Sequence, residues 1–333
     1  MTFSLIAKLF LICAALSAAT TGGVLFWLRR RQILDTPNHR SSHTRPTPRG
    51  GGLAVVPVVA LAWIAVTVLG LAPWQTLVAV AAALGLAALS WRDDRGGLPV
   101  LLRLGVQLAA IVIALAFLRG AGHVFQGLLP PALDFALTAF LWLWFVNLYN
   151  FMDGIDGITG VETLALGLGA LAVTVVANDP NSGAAPLGLA LAAGALGFLP
   201  WNWSPARLFL GDVGSVPLGY LAGWLLVGLA ADGHWAAALI LPLYYVVDAT
   251  VTLLRRLVRR ERVWQAHREH FYQRAVQAGL GHGAVSLRIL GVDLILIALA
   301  VLAVFWPWPA LVLAGAAVIA FLRLLGRQKQ PAT

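Results

Sequence analysis

Four polar side chains recur at intervals of three in N-L-Y-N-F-M-D-G-I-D-G, Asn147 to Gly157: Asn147, Asn150, Asp153 and Asp156. Continued as a helix, that spacing would align two carboxamides and two carboxylates on one face. Ionisable groups at the end of an apolar run are costly to keep, so the pattern points to a metal-bound or hydroxyl-rich substrate. The plain alternative is an Asp/Gly turn closing a helix. In W-R-D-D-R-G-G, Asp93 stands beside Asp94 between Arg92 and Arg95. One such carboxylate can hold a hard cation through oxygen, and the other can act as a base or hold an acceptor; solvated turn residues are the alternative.

Further along, P-W-N-W-S-P-A-R-L-F-L-G-D-V-G-S, Pro200 to Ser215, contains Asn202, Arg207 and Asp212. Asp212 opens an apolar run, a place for a helix cap, a metal ligand or both, since a helix N-terminus also attracts phosphate. Between Ile33 and Gly52, Arg40, Arg45 and Arg49 can pair with phosphate oxygens, and Gly50, Gly51 and Gly52 can let backbone approach a ligand. Prolines around His39 and His43 argue against a helical metal pair. In A-H-R-E-H-F-Y-Q-R, Ala266 to Arg274, His267 and His270 lack partner ligands for structural zinc. Contact with anionic groups from Arg255, Arg256 and these histidines is the favoured reading over a solvated basic loop.

The elements that must carry these motifs are membrane helices. Of 333 residues, 60% are hydrophobic and 11% charged, which excludes a soluble or disordered chain and implies an all-α polytopic membrane protein. The lone Cys13 excludes a disulfide framework. At about 17 to 25 apolar residues per span, runs fall at 5–28, 51–71, 74–90, 98–118, 133–150, 158–177, 184–200, 212–231, 235–257, 286–305 and 308–325. That is about eleven spans, with ten the alternative. The first, followed by Arg29, Arg30 and Arg31, reads as an uncleaved span. Of the 23 Lys and Arg, all but Lys8 and Arg119 fall on one side, which the positive-inside rule makes cytoplasmic. The N-terminus is then periplasmic, the C-terminus cytoplasmic, and every motif faces the cytoplasm. The net charge of +9 follows from this topology and from attraction to anionic lipid, so a nucleic-acid partner is not implied. A single domain over 1–333 is the simplest organisation. Asp248 and Asp293 lie in or near spans, where a carboxylate needs a partner; Arg255 or Arg288 could serve.

Five motifs in order, D-T-P-N-x-R-S-S-H-x-x-P-T-P-R-G-G-G, the Asp93–Asp94 pair, N-x-x-N-F-M-D-G-I-D-G, N-x-S-P-A-x-x-F-L-G-D-x-G-S and H-R-E-H-x-Y-Q-R, resemble the polyprenyl-phosphate N-acetylhexosamine-1-phosphate transferases, glycosyltransferase family 4. The nearest likeness is to the O-antigen-initiating subgroup that uses UDP-GlcNAc or UDP-N-acetylfucosamine-type sugars. The related phospho-N-acetylmuramoyl-pentapeptide transferases carry a three-histidine run where this chain has H-R-E-H. The resemblance implies transfer of a sugar 1-phosphate from a UDP-sugar to undecaprenyl phosphate at the bacterial inner membrane, releasing UMP and requiring Mg2+, with Mn2+ a substitute. It implies Asp212 as the metal ligand, and Asp93 and Asp94 binding or deprotonating the lipid phosphate. Asn147, Asn150, Asp153 and Asp156 would line the nucleotide side, and Asp156 is also a conceivable nucleophile. Phe209 would stack on uracil, with Asn202, His267 and His270 near sugar and diphosphate. Members of the family can dimerise, so a homodimer is allowed. A transporter using Asp248 and Asp293 would instead require paired repeats, and none is evident.

Overall fold

The computed structural model describes residues 3–37, 42, 45–118, 123–179, 183–262 and 267–326. His39, Arg40, His43, Arg119, Arg327 and Lys329 lie outside them. The described chain is a helical bundle: α1 (Phe3–Arg30), α2 (Gly52–Val68), α3 (Thr76–Gly96), α4 (Val100–Phe117), α5 (Pro131–Met152), α6 (Ile158–Val176), α7 (Ala184–Asn202), α8 (Asp212–Leu229), α9 (Trp235–Ile240), α10 (Leu243–Val258), α11 (Phe271–Gln277), α12 (His282–Leu302) and α13 (Pro307–Gly326). One small ribbon, β1 (Leu34–Asp35) antiparallel to β2 (Thr47–Pro48), shapes the loop before α2.

Every expected span coincides with helix, but the run at 235–257 is broken. Between α9 and α10 stands Pro242, which has no N–H to give and whose ring crowds the preceding turn. Among the described residues nine helical stretches are long and apolar enough to cross a bilayer, counting Asp212–Ile240 as one, and α2 is a shorter apolar helix. By length and composition the count differs from the expected eleven for three reasons: α2 is short, Asp212–Ile240 counts as one stretch although Gly233 at φ 97° kinks the chain between α8 and α9, and α10 ends in Arg255 and Arg256.

In lipid the apolar tails offer helices no incentive to associate, so close packing at small residues must supply it. Gly167 of α6 and Gly188 of α7 sit against each other's backbone, and Gly223 of α8 sits under the Trp142 ring of α5. At each, a Cβ would collide with its neighbour. The result is a core around α6, α7 and α8, with α1, α4, α12 and α13 turning Leu11, Ile12, Ile113, Leu294 and Val312 outward. Such an apolar exterior suits lipid.

Candidate active site

The loops that carry the motifs meet at one end of the bundle. Pro48 accepts from the Phe209 N–H at 2.8 Å, and Phe209 returns its carbonyl to Gly50 and Gly51 at 3.0 and 2.9 Å. A Cβ at Gly52 would fall on the backbone of Gly214. The glycine triplet thus admits the 209–214 segment, not a ligand as its composition suggested. This zipper delivers Arg49 to the start of α8, where Nη2 lies 2.6 Å from Asp212 Oδ1 and 2.9 Å from Asp94 Oδ1. Asp94 also accepts from the Val213 and Asp212 N–H groups at 3.1 and 3.4 Å, so a carboxylate of α3 caps α8, while Asp212 occupies its first turn. Burial disfavours the Arg49 charge, but Asp212 and Asp94, with Asp35 and Asp153, outweigh it and hold the guanidinium more firmly protonated than usual.

Asp93 points differently. Its oxygens accept from Leu98 N–H at 2.6 Å and from Arg103 Nη1 at 2.7 Å. Neighbours in sequence, the two carboxylates serve different arginines.

The Asn147–Asp156 series is split by the end of α5 at Met152. Asn147 donates to Gln107 Oε1 of α4 at 2.9 Å and Asn150 accepts from Ser215 of α8 at 2.5 Å, so these two do share the helix. Asp153 leaves it at φ −80°, ψ 57°, and Gly157 turns the chain at φ 80° into α6. That left-handed turn is natural to glycine. The single-face expectation therefore fails for the carboxylates. Asp153 is half-buried; burial first, and the Asp212 and Asp94 charges, push its carboxyl up to about 7 against the Thr159 hydrogen bond and Arg49.

Asp156 is buried and engaged elsewhere. Its Oδ2 accepts from Ala206 N–H at 3.1 Å and lies 3.3 Å from His282 Nδ1. Burial opposes its charge, yet His282, Ala206 N–H and Ser204 hold it below the usual carboxylate range. Asn202 spans the same junction, accepting from Gly157 N–H at 2.9 Å and donating to Leu208 O at 3.0 Å. Phe209 is half-buried at this junction, and Arg45, in the loop before β2, is exposed.

The histidine loop is braced from below by Asp248, which accepts from Phe271 N–H at 3.0 Å, Tyr272 N–H at 3.3 Å and Tyr244 Oη at 3.1 Å. The helix N-terminus of α11 and nearby hydroxyls, rather than Arg255 or Arg288, satisfy it. His270 is buried 3.4 Å from Asp248 and stacked on Tyr272, with His267 a ring-centroid distance of 4.8 Å away. Burial first, then His270 and Arg256, push His267 down to about 4, leaving it neutral at neutral pH. Arg256 and Arg259 pair with Glu269, while Arg255 lies over the Phe271 ring at 4.8 Å.

Between α3, α4, α5, α8 and α10 lies a cavity of about 490 Å3, mostly apolar, whose polar wall is made by Asp93, Arg103, Gln107, Asn147, Asn150 and Asp212. Arg103 and Gln107 were not singled out by motif. A charge inside the apolar run of α4 is the signal that marks Arg103.

Among the described residues no three His, Cys, Asp or Glu side chains converge as a ready-made metal cage. Asp94 and Asp212 nonetheless share a single guanidinium, and Asp153 lies close enough to act on that arginine and to feel both of their charges. Hard oxygens in negative excess suit Mg2+, which takes one or two carboxylates and completes its shell with water and substrate phosphate. The donor set fits that ion.

With this geometry in place, comparison with known proteins is informative. The family model for glycosyl transferase family 4 matches residues 76–230. The chain is 30% identical to the decaprenyl-phosphate N-acetylglucosaminephosphotransferase of Mycolicibacterium smegmatis over 93% of its own length and 85% of that protein's. It is 27% identical to the probable undecaprenyl-phosphate N-acetylglucosaminyl 1-phosphate transferase of Bacillus subtilis, covering 75% of this chain and 71% of that one. A phospho-N-acetylmuramoyl-pentapeptide-transferase of Chlamydia muridarum is 27% identical over 85% of this chain and 92% of its own.

Proposed function

The chain belongs to glycosyl transferase family 4, and from that premise we propose that it transfers an N-acetylhexosamine 1-phosphate from a UDP-sugar to undecaprenyl phosphate, releasing UMP. The observation that carries this reading is the apolar cavity ending on Asp93, Arg103 and Asp212. A polyprenyl phosphate is a long apolar chain with an anionic head, and the cavity matches it in both respects. Arg103 takes the acceptor phosphate, oriented by Asp93 at 2.7 Å, and Arg49 takes charge of the diphosphate beside Asp212. An oxygen of the acceptor phosphate attacks the sugar-linked phosphorus; the bond from that phosphorus to the oxygen bridging it to the uridine phosphate breaks, and UMP leaves with that oxygen.

A phosphate monoester has a second pKa of about 6, so the acceptor is largely dianionic at neutral pH and Asp93 serves more to orient than to deprotonate. Mg2+, or Mn2+, held by Asp212 with Asp94, would supply neutralisation of the diphosphate. Direct attack is favoured over a covalent phosphoryl-enzyme, because Asp156 would have to give up Ala206 and His282 to act as nucleophile. Asn150, Asp153 and Phe209 form the nucleotide side, and neutral His267 with Arg255 faces the sugar diphosphate. The donor we favour is of the GlcNAc or N-acetylfucosamine type, with the product initiating O-antigen or another envelope polysaccharide from the cytoplasmic face of the inner membrane. Asp212→Asn tests the site: the variant should fold in the membrane and form no lipid-linked sugar, and full activity would refute the role given to Asp212.

A further inference from the structure

Glu162 and Asp293 take no part in that chemistry, and they occupy positions where charge is most costly. Glu162 lies in the second turn of α6 and Asp293 midway along α12, both within candidate spans and only 1% and 2% exposed. The two helices pack on each other, and the Asp293 charge acts on Glu162. None of the four carboxylate oxygens has a hydrogen-bond partner among the described residues.

Among the described residues no cation acts on either carboxylate. The ionisable groups that feel the pair are Tyr149 of α5 and Tyr244 and Tyr245 of α10. Each phenol is already engaged: Tyr149 Oη with Thr163 Oγ1 at 2.5 Å, Tyr244 Oη with Asp248 at 3.1 Å, and Tyr245 Oη with Thr159 Oγ1 at 3.4 Å. Helices α7 and α9 contain no ionisable side chain, and α13 carries only Arg323, in its last turn. Two like charges in low dielectric, without cation or donor, cannot both persist. One remedy needs no further residue, a proton held between them.

We propose that Glu162 and Asp293 form an intramembrane proton-binding site, in which one shared proton joins the two carboxylates as an O–H···O⁻ hydrogen bond across the α6–α12 contact. The bond ties together the two helices that hold the Asp156 turn. Gly157 opens α6, and Ser286 of α12 donates to Asp156 O at 2.8 Å. Losing the proton would set two charges against each other within about two helical turns of that junction.

Infrared difference spectroscopy on the purified full chain at neutral pH tests this directly. Wild type should show the carbonyl stretch of a protonated carboxyl, shifted in D2O, that the Glu162→Gln/Asp293→Asn double variant lacks. Identical spectra would overturn the proposal. So would disappearance of the band when sodium replaces choline in the buffer, which would make the pair a cation site. Should the double variant fail to fold, Glu162→Gln keeps the experiment readable, because its amide N–H can donate to Asp293 in the same geometry. There the band should shift or vanish, and an unchanged band would overturn the assignment.

Discussion

Replacing Arg49 with Gln removes the one guanidinium that Asp94 and Asp212 share at 2.9 and 2.6 Å. Each charge-assisted bond is worth about 1.5–3 kcal/mol, and breaking a fully buried pair costs about 3–5 kcal/mol because it strands a charge. Here the Asp94 side chain is only 5% exposed but that of Arg49 is 37%. Solvent screens part of the interaction, so a loss of about 2–3 kcal/mol is the appropriate scale. If the same charge is needed on the diphosphate in the transition state, turnover falls about 30- to 150-fold. The variant also has a signature that simple misfolding lacks. With the guanidinium gone, the two carboxylates attract a divalent cation more strongly, so Mg2+ should raise the unfolding midpoint of Arg49→Gln more than that of wild type. Scanning fluorimetry with and without Mg2+, beside a transfer assay, reads both effects. Turnover near wild type together with a midpoint unmoved in either condition would refute the reasoning.

Three further outcomes follow from the same geometry. Asp153 holds its proton up to about pH 7 in the folded protein, whereas an unfolded aspartate releases it near 3.9; the folded state therefore loses stability from this group as pH rises between those values. Asp153→Asn should flatten the decline in unfolding midpoint between pH 5 and pH 8, and an equally steep decline in the variant would contradict the assignment. Gly154 packs where a Cβ would collide with Tyr272 Oη, so Gly154→Ala should destabilise by about 1–3 kcal/mol and shift the histidine loop, visible as a lowered midpoint; an unchanged one would show that the loop yields freely. Leu143→Trp, filling the cavity wall, should raise the KM for undecaprenyl phosphate and leave that for the UDP-sugar unchanged, and equal effects on both would argue against the cavity as the acceptor groove.

Much of the candidate site was legible because its residues are polar islands in an apolar chain. Arg49, Asp94 and Asp212 lie in three distant motifs, and their contact follows from placing all three loops on one face. What the spacing could not convey was how the backbone uses them. The interval of three from Asn147 to Asp156 suggested one helical face, yet α5 stops at Met152 and the carboxylates ride a glycine turn. The triplet Gly50–Gly52 suggested room for a ligand, whereas it makes room for Phe209 and Gly214. Asp248 invited an arginine, but backbone N–H groups of α11 satisfy it, and such donors leave no mark in a sequence. Arg103 was hidden among topology-setting cations until its distance from Asp93 was known.

The most direct measurement of the central claim is transfer itself. Purified protein in detergent or nanodiscs, given Mg2+, undecaprenyl phosphate and UDP-N-acetylhexosamines labelled in the sugar, should move label into an organic-extractable lipid and release an equal amount of UMP, with neither product formed when the acceptor is omitted. Failure to form a labelled lipid from any of the N-acetylated donors, or release of UDP in place of UMP, would contradict the account.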